Sequence, residues 1–254
     1  MLTTVREVFR NCSVEGNYLY LPEIELERSL FLEIKKRILL AGGKWRGGKT
    51  QGFIFDFSPT EVVVALSQGK ILDFKQDNQF FETPEETIAT MAILADIQKG
   101  DKILEPSAGR FAIGRWLWEY CSTYDRQPID CYELNKHNQQ YLRNYPCANF
   151  VGDDFLLAQP QKLYDVILAN PPFTRSSDTH HVMHMANFLK PLGVIVSVMS
   201  TAWQRKDCYP AHIFHDFLKS QSSHDVYDLP KDSFKESGTT VDTCVVVIQG
   251  KDFF

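Results

Sequence analysis

The chain has 254 residues, 44% of them hydrophobic and 23% charged, with a formal net charge of -5. This is an ordinary globular composition, long enough for one large α/β domain with a modest extension, and it excludes a protein coated in basic surface, so any nucleic-acid contact must come from a local patch. No run approaches the length of a membrane span, and Met1 to Arg6 lacks the apolar centre of a signal peptide. Six cysteines without a C-x-x-C pair read as reduced thiols. A cytoplasmic protein with no membrane and no metal is expected.

Residues 1–75 read as a small α/β extension. Tyr18-Leu19-Tyr20-Leu21 is a short strand. Glu23 to Leu40 carries Leu26, Leu30, Ile34 and Ile38 at helical spacing, and Gly42-Gly43 ends that helix. The next stretch, Gly43-Lys44-Trp45-Arg46-Gly47-Gly48-Lys49-Thr50, matches G-x-x-x-x-G-K-T, the pattern of a phosphate-binding loop. Such a loop needs a strand before it and a helix after it, whereas here a helix precedes and a strand, residues 52–57, follows. Two other readings stand beside it: a glycine-rich turn, or a basic turn whose Lys44, Arg46 and Lys49 around Trp45 touch a nucleic-acid backbone. A short helix, Pro59 to Ser67, closes the extension.

From residue 76 the rhythm becomes strand, helix, strand, helix. Phe80 to Pro84 leads into a helix over 85–97, with Thr83 placed as its cap and Pro84 at its first position. Strands are expected at 102–104, 129–132, 149–151, 164–169 and 193–199, with helices at 111–120, 137–144, 178–189 and 211–219 between and after them. A loop carries Trp203, Arg205, Lys206 and Asp207, and strands at 225–229 and 243–248 close the chain as an antiparallel pair. Seven strands, mostly parallel, with crossover helices define a doubly wound, Rossmann-like α/β sheet.

Polar signatures fall at the carboxyl ends of four successive strands, where open α/β sheets place ligands. After the first, Glu105-Pro106-Ser107-Ala108-Gly109 offers small residues that let backbone approach a ligand, but G-x-G-x-x-G is absent, which disfavours a nicotinamide cofactor. Glu133 stands where an acidic side chain accepts from ribose hydroxyls, and Asp154 beside Phe155 pairs an acceptor for an amino group with an apolar wall. Asn170-Pro171-Pro172-Phe173 ends the fourth strand. Neither proline can donate to a sheet ladder, so the chain leaves the sheet there as a stiff turn.

In this order, Phe81-Glu82-Thr83-Pro84, the Glu105–Gly109 turn, Glu133, Asp154-Phe155 and Asn170-Pro171-Pro172-Phe173 resemble the motifs of S-adenosylmethionine-dependent DNA adenine-N6 methyltransferases in their gamma arrangement. The similarity covers residues 76–254. The stretch 173–182, with Asp178 and His181, and the region around Gly42 to Trp45 look like the compact DNA methylases of phages and mobile elements, some of them restriction-modification enzymes. The resemblance implies a class I methyltransferase sheet, S-adenosylmethionine as cofactor and DNA as partner. It implies cofactor contacts at Phe81, Thr83, Glu105 to Gly109, Glu133, Asp154, Phe155 and Asn170. It also implies a catalytic Asn170-Pro171-Pro172-Phe173 in which two acceptors, the Asn170 side-chain oxygen and the Pro171 carbonyl, hold the hydrogens of an adenine amine while Phe173 stacks on the base. Phe234 forms a second wall by the same analogy, against the alternative of a core Phe. Arg110 and Arg175 flank the site as possible phosphate contacts, against the alternative of solvated side chains. His180 and His184, spaced i and i+4 without a third ligand nearby, read as a surface pair.

Rival readings are a methyltransferase acting on guanine-N2 or adenine-N6 of ribosomal RNA or on a glutamine amide, a binding protein without catalysis, and a P-loop hydrolase that depends on Lys49. Gamma-type enzymes usually carry a separate target-recognition domain after the catalytic one, whereas this sequence ends at Phe254 soon after its last strand. Target reading is therefore expected from residues 1–75, from loops 174–180 and 202–210, or from a partner subunit or homodimer.

Overall fold

The computed structural model describes residues 2–48, 50–55, 58–72, 82–205, 208–237 and 239–251. Phe81, expected at the cofactor, and Lys49 of the phosphate-loop pattern lie outside them, as do Phe80, the end of the strand expected at 52–57, Lys206 and Asp207. The chain divides into two compact units, Met1–Phe80 and Phe81–Phe254. No helix among the described residues is long and apolar enough to cross a membrane.

Among the described residues, the first unit is a four-stranded antiparallel sheet with three helices. Helix α1 (Val5–Arg10) was not anticipated, although Thr4 and Glu7 spell a capping box: the Glu7 amide donates to Thr4 Oγ1, and the Thr4 amide donates back to Glu7 Oε2. Strands β1 (Ser13–Glu15) and β2 (Tyr18–Tyr20) precede helix α2 (Arg28–Leu40), which starts five residues later than its apolar spacing implies. Glu27 accepts from the Ser29 amide and so sets that start. Strands β3 (Lys44–Arg46) and β4 (Gly52–Ile54) and helix α3 (Thr60–Ser67) follow. The sheet order is β1-β2-β4-β3, and its core packs Leu19 and Phe53 against Val8, Phe9, Ile34, Ile38 and Leu66. The G-x-x-x-x-G-K-T stretch therefore enters an antiparallel strand pair, β3 with β4, and no helix begins at its end. Without a helix N-terminus behind it the P-loop reading fails.

The second unit holds a seven-stranded sheet in the order β10-β11-β9-β8-β5-β6-β7. Its strands are β5 (Ile103–Glu105), β6 (Ile129–Tyr132), β7 (Ala148–Gly152), β8 (Tyr164–Ala169), β9 (Leu189–Ser200), β10 (Ser223–Asp228) and β11 (Thr243–Gln249). Strands β5 to β9 pair in parallel, while β11 runs antiparallel to both β9 and β10. Helices α4 (Glu85–Ala95) and α5 (Ala112–Tyr120) pack Ile88, Met91 and Leu117 on one face. On the other, α7 (Ser177–Met185) and α9 (Tyr209–Ser220) pack Val182, Met185, Phe214 and Leu218, so the sheet is doubly wound. Helix α6 (Lys136–Leu142) joins β6 to β7. The β7–β8 connection, by contrast, contains only a single 3-10 turn, Phe155–Leu157. Where a loop was expected after β9, Ala202–Arg205 forms a short helix, α8, with Trp203 buried edge-on against Phe214 of α9.

Candidate active site

Strand order reverses between β5 and β8, and Glu105, Glu133, Asp154 and Asn170 stand at or just past the carboxyl ends of β5, β6, β7 and β8. After β5 the chain makes a turn pinned to β6. The Ala108 amide donates to the Tyr132 carbonyl at 2.9 Å and the Gly109 amide to Glu133 Oε2 at 2.7 Å. Gly109 has φ +55°, a conformation in which a side chain is strained. The other Glu133 oxygen accepts from the Asn135 amide at 2.7 Å. Glu133 thus joins the turn after β5 to the start of α6, and burial raises its pKa against those two amides. Glu105 is deeper still, 2% exposed, and accepts from the Gly114 amide in the first turn of α5 at 3.0 Å. Burial pushes its carboxyl well above the ordinary range, against that amide and with Glu133 adding to the rise. Glu105 therefore holds the floor of the turn, with its side chain directed at protein backbone.

Asp154 accepts from the Leu156 amide at 3.0 Å and caps the 3-10 turn. Phe155 is 2% exposed, so its ring lies within the core among Tyr132, His184 and Phe188 instead of lining an open wall. That packing also corrects the surface reading of the histidine pair: His184 is half-buried, and its Nε2 meets the Ala158 carbonyl at 3.1 Å, while His180 is exposed.

The largest departure from expectation is at Thr83. Pro84, with extended backbone, occupies the cap position of α4 and makes no side-chain cap. Thr83, 6% exposed, turns its hydroxyl instead to Asn170 at the end of β8, whose Nδ2 donates to Thr83 Oγ1 at 3.0 Å. The segment before α4 is tied down a second time where Ser237 Oγ donates to the Glu82 carbonyl at 2.6 Å. Ser237 belongs to the β10–β11 loop, as does Phe234, whose 1%-exposed ring meets half-buried Phe173 edge-on with centroids 6.3 Å apart. Phe234 therefore backs Phe173 from the core and is no open wall. Ser237 was missed by sequence reasoning. Its partner is 155 positions away, and a Ser among Gly and Thr carries no local signal of such pairing.

Past Phe173 the backbone takes two consecutive left-handed residues, Arg175 (φ +52°) and Ser176 (φ +60°), both uncommon outside glycine. Arg175 is exposed. Arg110 is half-buried, its guanidinium 4.6 Å above the Tyr141 ring, which holds it on α6. Asp178 is 1% exposed and accepts from both the amide and the hydroxyl of Ser200, at 3.0 and 2.8 Å. It fastens α7 to the end of β9. Burial raises its pKa and the Ser200 bonds oppose that rise. Lys44 and Arg46 stand exposed on β3, but Trp45 between them points the other way, edge-on to Phe53 at 5.0 Å. The aromatic expected to work with those cations is on the opposite face of the strand.

No protein-family model matches the chain, and no curated protein matches it. Solved structures do. One is a Listeria monocytogenes protein assigned to the class I S-adenosylmethionine-dependent methyltransferases, 12% identical, with TM-score 0.57 over 76% of this chain and 67% of that one. Another is the type I restriction-modification methyltransferase subunit of Streptococcus thermophilus, 16% identical, TM-score 0.58, over 76% of this chain and 54% of its own. A third is a dimethyladenosine transferase of Plasmodium falciparum, 14% identical, TM-score 0.52, over 68% and 64%. At these identities the likeness shows the fold, which is that of class I methyltransferases. The chain spans about half the length of the restriction-modification subunit.

Proposed function

We propose that this protein transfers a methyl group from S-adenosylmethionine to the N6 amine of adenine in DNA. What carries the reading is the stiff Asn170-Pro171-Pro172-Phe173 turn at the end of β8, beside the point where strand order reverses, with the Asn170 amide nitrogen committed to Thr83. The fold and its relatives support methyl transfer as the class of reaction. The acceptor set supports the cofactor: a carboxylate at the end of β6 for ribose hydroxyls, a second at the end of β7 for an amino group, and beside them the pinned small-residue turn at the end of β5.

S-adenosylmethionine, when bound, supplies an electrophilic methyl group. The amine of adenine is a weak nucleophile because its lone pair is delocalised into the ring. With Nδ2 held by Thr83, Asn170 directs Oδ1 as an acceptor, and the Pro171 carbonyl is the second. Together they draw the two amine hydrogens out of the ring plane and concentrate the lone pair on nitrogen, a demand for positioning and electrostatics more than for a strong base. Phe173, backed by Phe234, gives the base an apolar face. A base in a duplex must be flipped out to reach these groups, at a cost of a few kcal/mol. Target reading falls to the first unit, to the loops 174–180 and 202–210, or to a partner subunit.

The test is methylation of genomic DNA in vitro followed by nucleoside analysis, with ribosomal RNA and protein as parallel acceptors. N6-methyladenine should form in DNA, and Asn170→Ala should lower the rate about 10²-fold or more, the usual scale for removing one oriented polar group from a transition state. Label entering RNA or protein while DNA stays unmodified would overturn the assignment. The RNA arm matters because an Asn-Pro-Pro-Phe turn suits any planar amine, and ribosomal RNA offers those of guanine and adenine.

A further inference from the structure

The sheet of the first unit has one face against its helices and one turned away from them. Leu19 and Phe53 fill the helix side, so strand alternation puts Tyr18, Tyr20, Lys44, Arg46 and Ile54 on the other. Two rows cross that face in register: Glu15, Tyr18, Ile54 and Lys44, then Ser13, Tyr20, Gly52 and Arg46. The rings of Tyr18 and Tyr20 lie within 17° of parallel, with centroids 6.1 Å apart. Gly52 makes room for the second ring, because a Cβ there would come within 2.8 Å of it. Both cations stand exposed at the β3 edge, whereas Glu15 is on β1 at the opposite edge.

We infer that this face is a stacking platform for an unpaired DNA strand, with bases on Tyr18 and Tyr20 and phosphates toward Lys44 and Arg46. Every base has a π-face, so a tyrosine pair binds without regard to sequence. In a duplex those faces are covered by neighbouring bases, so the platform selects an unpaired strand. The charge layout fixes where the backbone runs: phosphates are attracted to β3 and repelled by Glu15. The proposed activity is what makes DNA the occupant. The platform would give a chain of net charge -5 its local hold on a polyanion.

The test measures fluorescence anisotropy of a labelled oligothymidine, which contains no adenine, with the full chain, and repeats it with an oligouridine and a duplex of equal length. Oligothymidine should bind tighter than either. Tyr18→Ala with Tyr20→Ala should weaken binding at least tenfold, since stacking is worth about 1–3 kcal/mol per base, while the two Phe replacements should leave it unchanged. Lys44→Gln with Arg46→Gln should flatten the slope of log K against log salt by about 1.4. That pair decides the question if the Ala pair fails to fold. Asn170→Ala should bind as the parent does, so failure of methyl transfer and failure of the platform are read separately. No binding of oligothymidine, unchanged binding by the Ala pair, an unchanged salt slope, or tighter binding of duplex or oligouridine would overturn the proposal.

Discussion

A hydroxyl 87 positions away decides which end of the Asn170 amide is held and which is presented. Thr83 holds Nδ2 and thereby helps set the direction of Oδ1, so Thr83 is a positioning residue for the proposed reaction. Thr83→Val should lower kcat by about five- to tenfold, the scale of one net hydrogen bond, with cofactor affinity held, and Thr83→Ser should restore the rate. A loss seen only in cofactor affinity, measured by calorimetry, would assign Thr83 to the cofactor instead. The sequence named both residues but not their bond. Thr83 before Pro84 has the local appearance of a helix cap, and only the close approach of the segment before α4 to the end of β8 gives its hydroxyl a better partner. Phe234 is a similar case, where composition alone leaves wall and core open and its 1% exposure decides.

Among the strands, β6, β7 and β8 are held together at one charged residue. Asp130 on β6, 4% exposed, accepts from Asn149 on β7 at 2.7 Å, from Tyr164 on β8 at 2.7 Å, and from Lys162 at 2.6 Å. Burial alone would raise its pKa, but the bonds from Lys162, Asn149 and Tyr164 outweigh burial and bring it below the ordinary value. A carboxyl with a depressed folded pKa contributes stability that is present above its unfolded value, about 3.9, and is lost as pH falls through the folded value. Asp130→Asn should therefore cost about 1–2 kcal/mol at neutral pH, discounted for the exposed Lys162. The difference from the parent should shrink below about pH 4, as followed by urea melts at stepped pH. A gap that widens in acid would contradict the assignment. This network substitutes for a crossover helix: the connection from β7 to β8 has only its 3-10 turn, and side-chain bonds to Asp130 join the strands that a helix would otherwise brace.

For the whole molecule, the proposed cofactor would bind the second unit and so be linked to its folding. S-adenosylmethionine at a hundredfold its Kd should stabilise that unit by about 2.7 kcal/mol, a rise in Tm of about 5–10 °C at this size. Asn170→Ala should keep most of the shift, because the turn after β5 and Glu133 are untouched, and a loss of the shift would place Asn170 in the cofactor site first. The seven mostly parallel strands, their doubly wound arrangement and the four strand-end signatures were legible from residues 102–248, because apolar runs of strand length recur there, most of them separated by stretches of helical spacing; the order of the strands within the sheet was not. The class of fold follows from that pattern. Three things were decided only in the folded chain, each by contacts between residues far apart in sequence or by which face of a strand a side chain takes. Thr83 bonds to Asn170 instead of capping a helix. The G-x-x-x-x-G-K-T stretch enters an antiparallel strand pair with no helix behind it. Lys44 and Arg46 share the face of Tyr18 and Tyr20 while Trp45 takes the face of Phe53, since side chains alternate along β3 and pairing through β4 sets its register with β2. Local spacing records periodicity and stiffness, but register and long-range hydrogen bonds exist only once the sheet has formed.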